Sequence, residues 1–147
     1  MKRALWGDGS GLDEAVSAYT AGDDRRWDRR LLRWDIIGTM GHIAGLLEAG
    51  LLASEEHTAL AAELRLSLAA ADAGLLTVTD DDEDAHSALE NHLVDRLGVL
   101  GEKVHTGRSR NDQVMTALRL YLKEALLETE RAVLATTRSL LDFGRRH

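Results

Sequence analysis

No cysteine occurs among the 147 residues, which excludes a disulfide framework and every thiolate-ligated metal site. No proline occurs either, so no helix is interrupted by a residue that lacks an amide hydrogen. Aromatic residues make up 4% of the chain, too few for the aromatic and β-branched runs of a sheet protein. No apolar run reaches the ~20 residues that cross a bilayer. After Met1-Lys2-Arg3 only Ala4-Leu5-Trp6 precedes the break at Gly7-Asp8-Gly9-Ser10-Gly11, so no secretory leader is expected. Positive charge is scarce too: 18 Lys and Arg stand against 25 Asp and Glu, a formal charge of −7. That balance disfavours a nucleic-acid partner, which calls for a basic surface. The expectation is a cytoplasmic protein with neither a membrane nor a nucleic acid as partner.

What is present is helical. Hydrophobic residues form 44% of the chain, enough for one modest core, and Leu, Ala, Glu and Arg dominate, predicting an all-α fold. A short helix is expected over 12–19 and a second over 25–49, closed by Gly50. In the second, Leu31, Trp34, Ile37, Gly41, Ala44 and Leu47 recur every three to four residues and predict the buried stripe, with glycines 38, 41 and 45 permitting close helix contact. Ser54 followed by Glu55 and Glu56 reads as an N-cap with acids in the first turn, leading a helix through Leu60, Leu64 and Leu68 to Gly74. Leu75-Leu76-Thr77-Val78 is β-prone but too short to found a sheet, and reads as a connector. Five carboxylates over 79–84 then open a helix carrying Ala85, Leu89, His92 or Leu93, and Leu97, which ends at Gly98.

The stretch that reads as a site is Val104-His105-Thr106-Gly107-Arg108-Ser109-Arg110-Asn111-Asp112-Gln113-Val114. Two arginines and an amide sit on a glycine-containing loop, expected over 101–111, just before a long helical pattern. A helix start offers unpaired N–H groups and the positive end of the macrodipole, so guanidinium groups there make a pocket for carboxylates or phosphates. Beyond it Met115, Leu118, Leu122, Ala125, Thr129, Val133, Thr136, Leu140 and Phe143 hold one face of a helix starting near Asn111. A stripe that long calls for several partner helices. The expected organisation is a small helical N-terminal domain over 1–110, containing the loop, followed over 111–147 by the first long helix of a central bundle.

The loop resembles the first signature region of argininosuccinate lyase, a family of the fumarase/aspartase superfamily. The resemblance keeps its order along the chain: Ala4-Leu5-Trp6-Gly7, Tyr19-Thr20-Ala21-Gly22, Asp28-Arg29-Arg30-Leu31, Asp35-Ile36-Ile37-Gly38-Thr39, Glu48-Ala49-Gly50-Leu51-Leu52 and Asp82-Glu83-Asp84-Ala85-His86 look like its landmarks. The fumarase and adenylosuccinate lyase branches differ at the loop, so Gly107-Arg108-Ser109-Arg110-Asn111-Asp112-Gln113 points to one branch. The resemblance implies reversible elimination of fumarate from argininosuccinate to leave arginine, the last step of arginine biosynthesis. It also implies acid-base catalysis without cofactor or metal, and a homotetramer when the protein is complete. It assigns Arg110 and Asn111 to substrate contact, Arg108 and Ser109 to the shape of the anion pocket, and Asp84 and His86 to the same cleft. Gly22 stands where many members carry a substrate-contacting serine, so only a backbone contact is expected there. The family's catalytic histidine and mobile-loop serine belong to later signatures, so the chain reads as an N-terminal portion with no catalytic group of its own and is expected to be inactive alone.

Other readings stand beside this one. Glu83 and His86 have the Glu-x-x-His spacing of di-iron bundles but lack the second pair and further glutamates. Residues 80–84 lack the glycine and distal glutamate of a calcium loop. His42 and His57 read as surface or core residues, Trp34 as packing, and Arg108 and Arg110 taken alone as salt-bridged helix-cap residues. For the whole chain the alternatives are a non-catalytic relative of the family, or an acidic helical module whose last helix binds a partner helix.

Overall fold

A computed structural model describes residues 24–79 and 82–147, all of them helix or connection. The helices are α1 (Asp24–Glu48), α2 (Ser54–Asp72), α3 (Ala85–Leu97), the single turn α4 (Val99–Glu102) and α5 (Arg110–Arg146), with a 3₁₀ turn at Lys103–His105. No strand occurs among the described residues, so the fold is all-α as the composition predicts. The short helix expected over 12–19 and the first landmarks of the resemblance lie outside the described residues.

α1 is the hub, packing against α2, α3 and the start of α5. Its buried face is Leu32, Asp35, Ile36, Thr39, Ile43 and Leu46, about one position round from the stripe read in the sequence. Leu31, Trp34, Ile37 and Leu47 are half-buried instead, and Gly41 and Ala44 are exposed. The apolar pattern misleads here because Asp35 and Thr39 are polar residues facing inward, each with a partner on another element. Leu60 and Leu64 of α2, Val78 of the connector, and Ala85, Leu89 and Leu93 of α3 complete the core with Val104.

The cap of α2 differs from expectation by one residue. Ala53 is the N-cap, Ser54 is already helical, and the Ala53 N–H donates to Glu56 Oε2 at 3.1 Å. The acidic first turn thus supplies the acceptor that Ala53 lacks. The region expected as a loop over 101–111 is helical in its first half, through α4 and the 3₁₀ turn, and irregular only over 106–109. Gly101 explains how α4 fits: a Cβ there would stand 2.6 Å from the Leu93 carbonyl and the Val94 nitrogen, so α4 rests directly on the α3 backbone.

α5 begins at Arg110, one residue before the expected start, and its 37 residues extend about 55 Å. Only Gln113 and Ala117 are buried, and every residue after Ala125 is exposed. Leu126, Leu140 and Phe143 are 69%, 67% and 60% exposed. No helix among the described residues is long and apolar enough to cross a membrane.

Candidate functional site

Two helix starts meet at the site. Ser109 caps α5 in a reciprocal box: its Oγ accepts from the Asp112 N–H at 3.3 Å, while Asp112 Oδ2 accepts from the Ser109 N–H at 3.1 Å and from Ser109 Oγ at 2.8 Å. The Ser109 hydrogen bond holds the Asp112 carboxyl below its ordinary pKa, its backbone amide adding to the effect. The box leaves the Arg110 and Asn111 N–H groups without an intrahelical acceptor. Asp84 caps α3, accepting from the Ser87 N–H at 2.8 Å, and Asp28 of α1 accepts from the Ala85 N–H at 3.1 Å.

Arg110 joins the two starts. Its Nη1 donates to Glu83 Oε1 at 2.9 Å, and its Nη2 donates to Ser87 Oγ at 3.0 Å and lies 3.2 Å from Asp84 Oδ2. The Glu83 hydrogen bond, opposed by desolvation, raises its pKa further, with Asp84 contributing. Glu83 is exposed, so this is a partner the guanidinium can exchange. Asn111, next along, is exposed and makes no side-chain hydrogen bond among the described residues.

Arg108 turns the other way. Its Nη1 donates to Thr39 Oγ1 on α1 at 3.1 Å, and burial lowers its pKa against the pull of Asp35 and Asp112. On the same side, His86 Nδ1 comes within 2.8 Å of Asp35 Oδ2. Both side chains are buried, yet neither Asp35 oxygen nor His86 Nδ1 has hydrogen-bond alignment. The carboxylate is nonetheless close enough to pair with the imidazole. Desolvation alone would lower the His86 pKa; Asp35 first, then Asp84 and Asp28, outweigh it and raise the value above ordinary histidine. Asp35 is thus a buried carboxylate between an imidazole and a guanidinium.

The loop carrying these arginines is held at its neck and on its flank. Gln113 Nε2 lies 3.1 Å from His105 Nδ1, and His105 Nε2 lies 3.0 Å from Glu90 Oε2 on α3. His42 Nε2 lies 3.0 Å from the Thr106 carbonyl oxygen. Desolvation pushes the His42 pKa down, partly opposed by that carbonyl. Between α1 and the start of α5 runs an open groove of about 760 Å³, lined by Gly38, Gly41, His42, Gly107, Arg108 and Thr116 among others. Gly38 fits there because a Cβ would come 3.0 Å from Thr116 Cγ2; nothing stands within 4 Å of Gly41 or Gly45, so the close contact expected of three glycines is made by one.

Asp84 and Arg110 are therefore in direct contact, His86 pairs with Asp35, and Arg108 feels the charge of the same carboxylate. Ser109 is committed to its cap, Asn111 faces outward, and Gly22 lies outside the described residues. No group of three or more His, Asp or Glu among the described residues is placed to hold a metal ion. Asp35, Thr39, Ser87 and Glu90 were not singled out as site residues in the sequence. Asp28, Asp35 and Thr39 fall at i, i+7 and i+11, a helical period that would have placed them on one face. Chemically, the start of α5, a guanidinium with an exchangeable acid and a free amide are groups that can donate to an anion.

Residues 13–142 match the family described as "Lyase". The chain is 47% identical to the argininosuccinate lyase of Sorangium cellulosum (strain So ce56) over 146 residues, 99% of this chain and 34% of that protein. It is 41% identical to that of Thermotoga neapolitana over 97% of this chain and 36% of the relative, and 38% identical to that of Xanthomonas euvesicatoria pv. vesicatoria over 98% and 35%. The chain spans about a third of the length of the curated relatives it matches.

Proposed function

Since this chain belongs to the lyase family of the fumarase/aspartase superfamily, we propose that it carries the fumarate-side substrate pocket of an argininosuccinate lyase. The observation that carries this reading is the Gly107-Arg108-Ser109-Arg110-Asn111-Asp112-Gln113 run standing where two helix starts converge. The reaction removes a proton from the carbon next to a carboxylate, builds negative charge on that carboxylate, and breaks the carbon–nitrogen bond, the departing nitrogen keeping or gaining a proton. Fumarate and arginine result. Cationic and amide donors aimed at the developing charge lower the barrier. Arg110 gives up Glu83 for the substrate carboxylate, and Asn111 donates beside it through its amide and backbone N–H. Arg108 and Ser109 set the shape of the loop, Asp84 orients Arg110, and the buried Asp35–His86 pair holds the start of α3. Gly22 offers a backbone contact in place of a serine hydroxyl.

The groups that move the proton belong to the part of the relatives with no counterpart here. Residues 1–110 serve as an N-terminal domain and 111–147 as the first helix of a bundle, completed by other subunits of a cytoplasmic homotetramer. The exposed apolar face of α5 supports that assignment.

The test is a chimera in which this chain replaces the matching third of the S. cellulosum relative. It should convert argininosuccinate to fumarate and arginine, followed by fumarate absorbance, and should leave adenylosuccinate and aspartate untouched. A folded chimera that binds none of the substrate contradicts the reading.

A further inference from the structure

The two ends of the signature loop are tied together by side chains, and the tie passes through one imidazole. His105 ends the 3₁₀ turn and Gln113 lies in the first turn of α5, so the residues between them, Arg110 and Asn111 included, are closed at the neck. We propose that His105 is the positioning residue of this loop, held as the Nε2–H tautomer between Gln113 and Glu90. The inference rests on the substrate reading above for its consequence, though not for its geometry.

The tautomer follows from what each neighbour can do. Gln113 is 2% exposed and its Nε2 faces His105 Nδ1 at 3.1 Å. An amide NH₂ can only donate, so Nδ1 must be the bare acceptor and the single ring proton sits on Nε2. Turning the amide over would present Oε1 and call for a proton on Nδ1, which would aim the Nε2 lone pair at Glu90. The Glu90 carboxylate stands 3.0 Å from Nε2, out of line for a hydrogen bond but close enough to repel a lone pair and favour a proton. In the neutral ring Glu90 therefore selects the tautomer, and the tautomer selects the amide. His42 adds a second hold through the Thr106 carbonyl oxygen. Closing a short loop at its neck removes conformations that would otherwise have to be lost when the substrate binds.

The test uses the uniformly ¹⁵N-labelled 147-residue chain. Long-range proton–nitrogen spectra near neutral pH should show His105 as the Nε2–H tautomer. Gln113→Glu, nearly isosteric, offers only acceptors and should move a proton onto Nδ1; Glu90→Gln removes the charge that disfavours a lone pair on Nε2 and should let the Nδ1–H tautomer appear. Gln113→Leu should shift the Arg108 and Ser109 amide signals and weaken fumarate binding about tenfold. An Nδ1–H tautomer in the unsubstituted chain, or loop signals indifferent to Gln113→Leu, overturns the proposal. A chain with the expected tautomer and loop shifts that binds no fumarate counts against the substrate reading and leaves the brace standing.

Discussion

Gly101→Ala is the sharpest probe of how the loop is mounted. A Cβ at this buried position would stand 2.6 Å from the Leu93 carbonyl carbon and oxygen and from the Val94 nitrogen. These are backbone atoms of α3, and no rotamer change relieves the contact. To restore the ~3.5 Å of an ordinary carbon contact, α4 must retreat by roughly 1 Å. Overpacking of this kind costs about 1–3 kcal/mol, and a backbone obstacle places it at the upper end. For a chain of this size that lowers the melting temperature by roughly 5–10 °C. Gly41→Ala is the matched control, because nothing lies within 4 Å of its Cβ and the position is in mid-helix; it should stabilise by about 0.5–1 kcal/mol. Thermal melts by circular dichroism read both. A Gly101→Ala variant that melts with the unsubstituted chain would refute the direct seating of α4 on α3.

Three further outcomes are expected. His86 should titrate above about 6.5, so its pairing with Asp35 stabilises fully below that pH and is lost as pH rises through the raised value. In Asp35→Asn desolvation is largely unopposed, the pKa should fall below 6.5 and the sign of that contribution reverse, which proton NMR of the imidazole resolves separately from His42; a His86 pKa unmoved by the substitution contradicts the pairing. Ser109→Ala removes the α5 cap and should cost about 1 kcal/mol in a thermal melt, and no change would show that the box contributes nothing. The apolar face of α5, with Leu122, Leu126, Val133, Leu140 and Phe143 exposed, should make the isolated chain self-associate; a monomer by sedimentation at ~10 µM would contradict it.

The sequence made the helices and the loop legible because each carries a local signal. Gly74 and Gly98 close their helices, and Ser109 with Asp112 three residues on is a capping box readable from spacing alone. The face of α1 was not legible, since burial there is decided by partners distant in the chain. Asp35 turns inward because His86 is there to meet it, and Thr39 because Arg108 donates to it. For the same reason the Glu83 and Ser87 partners of Arg110 could not be read from the sequence. Those contacts span more than twenty residues, where periodicity carries no information. The Glu90–His105–Gln113 chain likewise joins three elements and leaves no local pattern.

We propose that Arg110 and Asn111 bind the carboxylate that gains charge during elimination. In the chimera, Arg110→Ala and Asn111→Ala should each lower turnover of argininosuccinate by about 10²–10³-fold, the loss expected for one donor to a developing anion. Melting temperatures should stay within roughly 3 °C of the unsubstituted chimera, as both lie at a helix start. Normal turnover in both variants would contradict the assignment of this pocket.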